Sequence, residues 1–217
     1  MKKDKYTFRD CSAALMDDVF LLRKTFTSQV LDHWLQMTPP LSDEEKIVLR
    51  NFQDLLILNS DAWIEQELAL NFIGPVFGLA RFTEPYRFNF FAERHIGTTV
   101  PSVHGDVELG GEPNGIIATG YRTPQTPLFA FSEFKKSLES KGDPIGQTLA
   151  AMLVGQVLNQ ESIPVYGCYI VGHDWHFMVL EGKNYTISHD FSAVTNELFD
   201  IFRLLKALKL IIMKMTA

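Results

Sequence analysis

The sequence predicts an α/β protein, a mixed β-sheet flanked by helices, from three observations. Apolar residues recur at steps of three and four through the first ~75 residues. The spacing then changes to alternation between residues 86 and 135. A helical stripe over 143–160 separates those strands from further apolar runs, which is the order expected when helices cover the faces of a sheet.

The elements follow in order. Leu15, Val19, Leu22, Phe26, Val30 and Trp34 form a helical stripe over 10–37 that stops before Pro39-Pro40. Ser42 with Glu45 three residues on reads as a capping box opening a second helix along Ile47, Leu49, Phe52, Leu55, Leu56 and Leu58. A third is expected from near Asp61 to a stop at Gly74-Pro75. "YRFNFFAERHI", "SVHGDVELGG", "GIIATG" and "PLFAFSEFK" then alternate or are continuously apolar between turn residues, and predict an antiparallel meander. Asp143 as N-cap and Pro144 at N1 open the helix over 143–160, with Leu149, Met152, Leu153 and Val157 as its stripe. "IPVYGCYIVG" and "WHFMVLEG" are strands, a short strand lies near "YTIS", and residues 192–213 form a last helix.

Composition narrows the function. The chain has 217 residues, 46% hydrophobic, enough to bury a sizeable core, so disorder is excluded. Cys11 and Cys168 lie in apolar patterns outside any C-x-x-C pair and read as reduced core cysteines of a cytoplasmic protein. "MKKDKYTFRD" lacks the apolar stretch of a secretory signal, and the apolar run at 204–215 is interrupted by Lys206, Lys209 and Lys214, so no membrane partner is expected. A formal net charge of −6 argues against a free, sequence-independent DNA binder, while Lys135, Lys136 and Lys141 leave room for a local basic groove. His33, His95, His104, His173, His176 and His189 are scattered without zinc-ligand spacing, and no phosphate-cradling glycine motif occurs.

The chemistry concentrates in "FAFSEFKKS", residues 129–137. Simple alternation puts Phe129, Phe131, Glu133 and Lys135 on one strand face, so buried aromatics give way to an acid and a base on the core side. An acid to hold a divalent cation and a lysine to polarise a nearby water suit one site. Asn114 at the mouth of the preceding strand, Gln147 in the first turn of the 143–160 helix, and Glu65 or Glu67 on an earlier helix are placed to reach it.

The segments "WIEQEL…FIGP", "GEPNGIIA", "FSEFKK", "DPIGQTLAAMLVGQVLN" and "YGCYIVGHDWHFMVLEG" together resemble the PD-(D/E)xK nuclease superfamily, in particular restriction-endonuclease-like proteins of Bacteroidetes type, related to type I restriction nuclease domains. The resemblance covers about 61–213. It implies a restriction-endonuclease-like core domain over 61–217 behind an N-terminal helical extension over 1–60, Mg²⁺ or Mn²⁺ as cofactor, and DNA as substrate, with a second copy or a protein partner left open. Glu133 becomes the metal-binding acid, Lys135 the motif lysine, Gln147 the helix glutamine and Glu65 or Glu67 the helix acid; Trp175 is packing. The motif aspartate is Asn114 here. Three readings stay open: Pro113-Asn114-Gly115 is a plain turn, Asn114 ligates weakly with Glu112 supplying charge, or the fold survives as a catalytically dead binding or assembly module.

Overall fold

The structure is a computed structural model of the chain, described here for residues 5–136 and 142–216. Its elements are β1 (Lys5–Thr7), α1 (Ala13–Asp18), β2 (Arg23–Lys24), α2 (Gln29–Gln36), α3 (Asp43–Asn59), α4 (Glu65–Leu68), α5 (Gly74–Ala80), β3 (Asn89–Ala92), β4 (Ile96–Ser102), β5 (Gly105–Gly111), β6 (Gly115–Thr119), β7 (Gln125–Lys135), α6 (Pro144–Leu158), β8 (Val165–Val171), β9 (Asp174–Glu181), β10 (Asn184–Ser192) and α7 (Leu198–Met215).

A seven-stranded mixed sheet, in the order β2-β10-β9-β8-β7-β6-β3, forms the centre. The parallel pair β7 and β8 is joined through α6, the crossover that the 143–160 stripe predicts. On one face α2, α3, α5 and α7 bury Trp34, Leu56, Phe77 and Phe202 against Trp175 and Phe177 of β9. On the other, α6 buries Leu149, Met152 and Leu153 with Phe131 and Met178, beneath a small sheet in the order β1-β5-β4.

Five expectations are corrected. The 10–37 stripe is not one helix: it breaks into α1, β2 and α2, and Phe26 is fully exposed. Leu21 takes a positive φ, β2 pairs with β10, and the Ser28 hydroxyl accepts from Leu31 N–H to start α2 afresh, so local caps override the periodicity. With β1 and β2, the N-terminal segment contributes strands to both sheets rather than helices alone.

The helix expected to stop at Gly74-Pro75 continues to Ala80. A π-turn over Ala69–Ile73 resets the register, Gly74 N–H reaching Ala69 carbonyl, and Pro75 falls in the first turn of the new segment, where its missing N–H is harmless. The meander is also divided: β4 and β5 pair with each other and leave for the small sheet, while β3 pairs directly with β6.

Finally, Phe129 does not share the face of Phe131. Ala118 faces Leu128 and Ile117 faces Ala130, so a β-bulge at Phe129 shifts the alternation. Phe129 and Ala130 both join the α7-side core, whereas Phe131 lies on the α6 side.

Candidate active site

The bulge matters because it settles which face the end of β7 presents. Beyond it, Phe131, Glu133 and Lys135 alternate toward α6. The Glu133 and Lys135 side chains are only 11% and 12% exposed. Lys135 Nζ lies 3.0 Å from Glu133 Oε1 and 3.8 Å from Glu65 Oε1, so one ammonium sits between two carboxylates.

Glu65 opens α4 and points into the same cleft as Glu133. Glu67 does not line it. Its carboxylate accepts from Ile64 N–H at 2.9 Å and closes the helix's first turn, which separates the two acids that the sequence leaves equivalent. Asn114, just before β6, accepts from Phe134 N–H through Oδ1 at 2.8 Å, a bond that ties the mouth of β6 to the end of β7. Glu112 lines the cleft at its exposed rim, 4.0 Å from His95 Nδ1.

Gln147 enters from α6. Asp143 caps that helix, accepting from Ile145 N–H, and its other oxygen accepts from Ala13 N–H at 2.7 Å. Gly146 lies so close to the backbone of Cys11 and Ser12 that a Cβ would stand 2.3 Å from it. The N-terminal segment thereby fixes the end of α6 that carries Gln147. Gly142 has a φ of +100° and would drive a Cβ to 2.4 Å from Gln147 Nε2, so only glycine fits beneath the amide. Gln147 is 5% exposed, and among the described residues its Oε1 has no hydrogen-bond donor.

Glu65, Asn114, Glu133, Lys135 and Gln147 therefore line one cleft of about 930 Å³. The small sheet lines it too, through Lys5, Thr98 and Thr99, with Arg9 and His95 beside it from the turn after β1 and the residue before β4. No sequence signal marks that lining, because it is assembled by pairing between β1 and β5, far apart in the chain. Among the described residues the cleft carries Glu65, Glu93, Glu108, Glu112 and Glu133 against Lys5, Arg9 and Lys135, an excess of acids. Lys136 donates to Asp61 carbonyl at 3.2 Å, and Lys141 lies outside the described residues.

Burial pushes the Glu133 carboxyl above the usual range for glutamate, and the Glu65 charge adds to the rise; Lys135 and a backbone N–H of Asn114 offset it only in part. Among the described residues no group of three or more His, Cys, Asp or Glu side chains is arranged to hold a metal ion. Two carboxylates and the Gln147 amide oxygen on the lining of this cleft are the kinds of donor that a hard cation such as Mg²⁺ takes. Asn114 Oδ1 retains a second lone pair but supplies no charge.

Cys11 and Cys168 are buried free thiols; burial pushes Cys11 up to about 12 and Cys168 higher still, which leaves both inert. Trp175 is fully buried among aromatic rings. Among the described residues no helix is long and apolar enough to cross a membrane. No protein-family model matches the chain, and comparison with curated proteins finds no match.

Proposed function

We propose that the chain is a nuclease-like protein of the restriction-endonuclease type, built to hydrolyse phosphodiester bonds of DNA with Mg²⁺ or Mn²⁺, and weakened by asparagine at the position of the motif aspartate. The observation that carries the reading is the Lys135 ammonium suspended between Glu133 and Glu65 in the wall of a large cleft. Glu133 and Glu65 would hold the cation, with Gln147 or Asn114 oxygens beside it. The bound cation would stabilise charge on the phosphate and lower the pKa of an attacking water.

The chain's own groups divide the remaining work. Lys135 brings a positive charge and hydrogen-bond donors to the water or a phosphate oxygen. Gln147 Oε1, without a donor among the described residues, would accept a hydrogen bond from the water and so orient it. The largely buried pair keeps the field between these groups strong. Reduced, inert thiols suit the cytoplasm.

A second reading, a catalytically dead binding or assembly module, is favoured by Asn114 and by the excess of acids among the described residues of the cleft, which repels a polyanion until cations neutralise it. Mn²⁺ titration by calorimetry, run beside cleavage of plasmid and single-stranded DNA, separates the two. The nuclease reading expects binding that Glu133→Gln abolishes and cleavage that requires metal. Absence of both in the parent protein rejects it in favour of the dead module.

A further inference from the structure

The N-terminal strand brings charge into the cleft that the site described above does not use. Lys5, Thr7 and Arg9 alternate with Tyr6 and buried Phe8, and all three line the cleft that holds Glu133 and Gln147. Among the described residues the cleft's lysine and arginine side chains are Lys5, Arg9 and Lys135. Lys135 is shared between Glu133 and Glu65. Lys5 and Arg9 are exposed and form no ion pair among the described residues. Glu108 stands opposite Lys5 on β5 without closing a bridge to it. The Asp10 carboxylate beside Arg9 is taken up by the Thr7 N–H and hydroxyl, at 3.0 and 2.7 Å.

Packing holds this segment against the site. β1 runs parallel to β5, and Phe8 lies so close to Gly111 that a Cβ there would stand 2.7 Å from its ring. Ala13 N–H binds the Asp143 cap of α6. The Cys11 carbonyl presses on Gly146, the residue before Gln147. Arg9 precedes Cys11 by two positions, a chain reach of roughly 7 Å. The chain itself therefore keeps Arg9 beside the end of the cleft that carries Gln147. Lys5 follows along β1, at most roughly 13 Å from Arg9 between Cα atoms, or about two phosphate intervals of an extended strand.

Unpaired cations in a cleft that otherwise carries an excess of acids mark the place where a polyanion can enter. We propose that β1 and the turn after it form a phosphate-binding arm, in which Lys5 and Arg9 each contact a backbone phosphate of the DNA whose scissile phosphate rests at Glu133. Contacts to phosphate are blind to base identity, so the arm holds and registers the strand without selecting sequence. The N-terminal segment is then part of the substrate site rather than an extension beside it.

The inference rests on the phosphodiesterase reading, and its test keeps the two apart. Fluorescence anisotropy measures binding of the full chain to a labelled DNA duplex of mixed sequence over a range of KCl concentrations, with Ca²⁺ supplied as the hard cation. Each lost phosphate contact removes about 0.9 from the slope of log K against log salt. Arg9→Gln should flatten the slope by about that amount, and Lys5→Gln combined with Arg9→Gln by about 1.8, with weaker binding at every salt concentration. Lys5→Arg combined with Arg9→Lys keeps both charges and should keep the parent slope. Lys24→Gln removes an exposed charge from β2, at the edge of the central sheet and outside the cleft, and should leave the slope unchanged. Should the double variant lose its cooperative melting transition, the two single variants carry the test. Unchanged slopes in Arg9→Gln and Lys5→Gln, or an equal flattening in Lys24→Gln, overturn the arm while leaving metal-dependent cleavage standing. A parent protein that neither binds nor cleaves DNA overturns both.

Discussion

Glu45–Lys206 and Glu133–Lys135 stand beside clefts of similar size, and the two pairs are built to opposite ends. Glu45 and Lys206 line a cavity of about 830 Å³ between α3 and α7, with Lys206 Nζ 2.9 Å from both carboxylate oxygens. Ser42 N–H adds a third bond to Glu45, Arg81 lies nearby, and the acid stands at the positive end of α3. Partial burial alone would raise the Glu45 carboxyl, but these partners outweigh it and hold the group below the usual range. Glu133 is more deeply buried, shares its lysine with Glu65, and is held above that range. An acid whose partners exceed its burial cost serves the fold. One whose burial exceeds its partners waits for a charge from outside.

The largest effect that sharpens this contrast is expected from Lys135→Met. It leaves Glu133 and Glu65 facing each other with no cation between them, and breaking a buried pair from one side costs about 3 kcal/mol. Chemical denaturation at pH 7 measures the loss. Millimolar Mn²⁺ should recover much of it, since the metal then takes the lysine's place. A loss that metal leaves untouched would remove the case for a cation site.

Glu45→Gln comes next. Glutamine can still close the α3 capping box, so the loss is confined to the Lys206 charge and the helix end, about 1.5 kcal/mol. Urea denaturation should show this destabilisation with no dependence on divalent metal. Equal metal sensitivity at Glu45 and Glu133 would erase the distinction between the two pairs.

The contrast was only half legible in the sequence. Ser42 and Glu45 announce their capping box because the bond is local, and Asp143-Pro144 announces α6 for the same reason. Glu133, Lys135, Gln147 and Asn114 could be picked out because they fall at the ends of recognisable elements. What pairs them with Glu65 rather than Glu67 is one hydrogen bond to Ile64 N–H, and no spacing encodes it. Lys206 as the partner of Glu45, and the small sheet as part of the cleft's lining, depend on contacts across most of the chain. The Phe129 bulge hides for a related reason: a continuous apolar strand reads the same with or without a shift in its alternation.

A smaller effect is expected from Asn114→Asp, which imports into the Glu133 site the charge it lacks. An aspartate oxygen can keep the bond from Phe134 N–H, so the change is electrostatic. Without metal the added charge should destabilise by about 1 kcal/mol; with Mn²⁺ it should tighten metal binding about tenfold, since a hard cation gains a carboxylate. Calorimetry on both forms reads the affinity. Equal Mn²⁺ affinities would show that the side chain at 114 serves only to tie β6 to β7.

The smallest effect, and the one that isolates Glu133 itself, comes from Glu133→Gln. Its folded pKa lies above the ordinary value of 4.5, so protonation favours the folded state: its stability contribution is fully present below pH 4.5 and is lost as pH rises through the folded pKa. Glu45, Glu44, Asp43 and Asp10, held low, contribute in the opposite sense, and their share is lost as pH falls. The two trends overlap in the parent protein, but all four lowered acids remain in the variant, so subtracting the two pH profiles leaves Glu133 alone. Neutral glutamine matches protonated glutamate, and Lys135 keeps Glu65. The difference in Tm between variant and parent should therefore be near zero at pH 4 and grow to a gain of about 2–4 °C by pH 7, the shift that about 1 kcal/mol produces in a chain of this size. Were the Glu133–Lys135 pair a stabilising bridge like Glu45–Lys206, the sign would reverse and the variant would melt lower at pH 7. That outcome would make the acid at the end of β7 a requirement of folding and withdraw the uncompensated charge on which the proposed site depends.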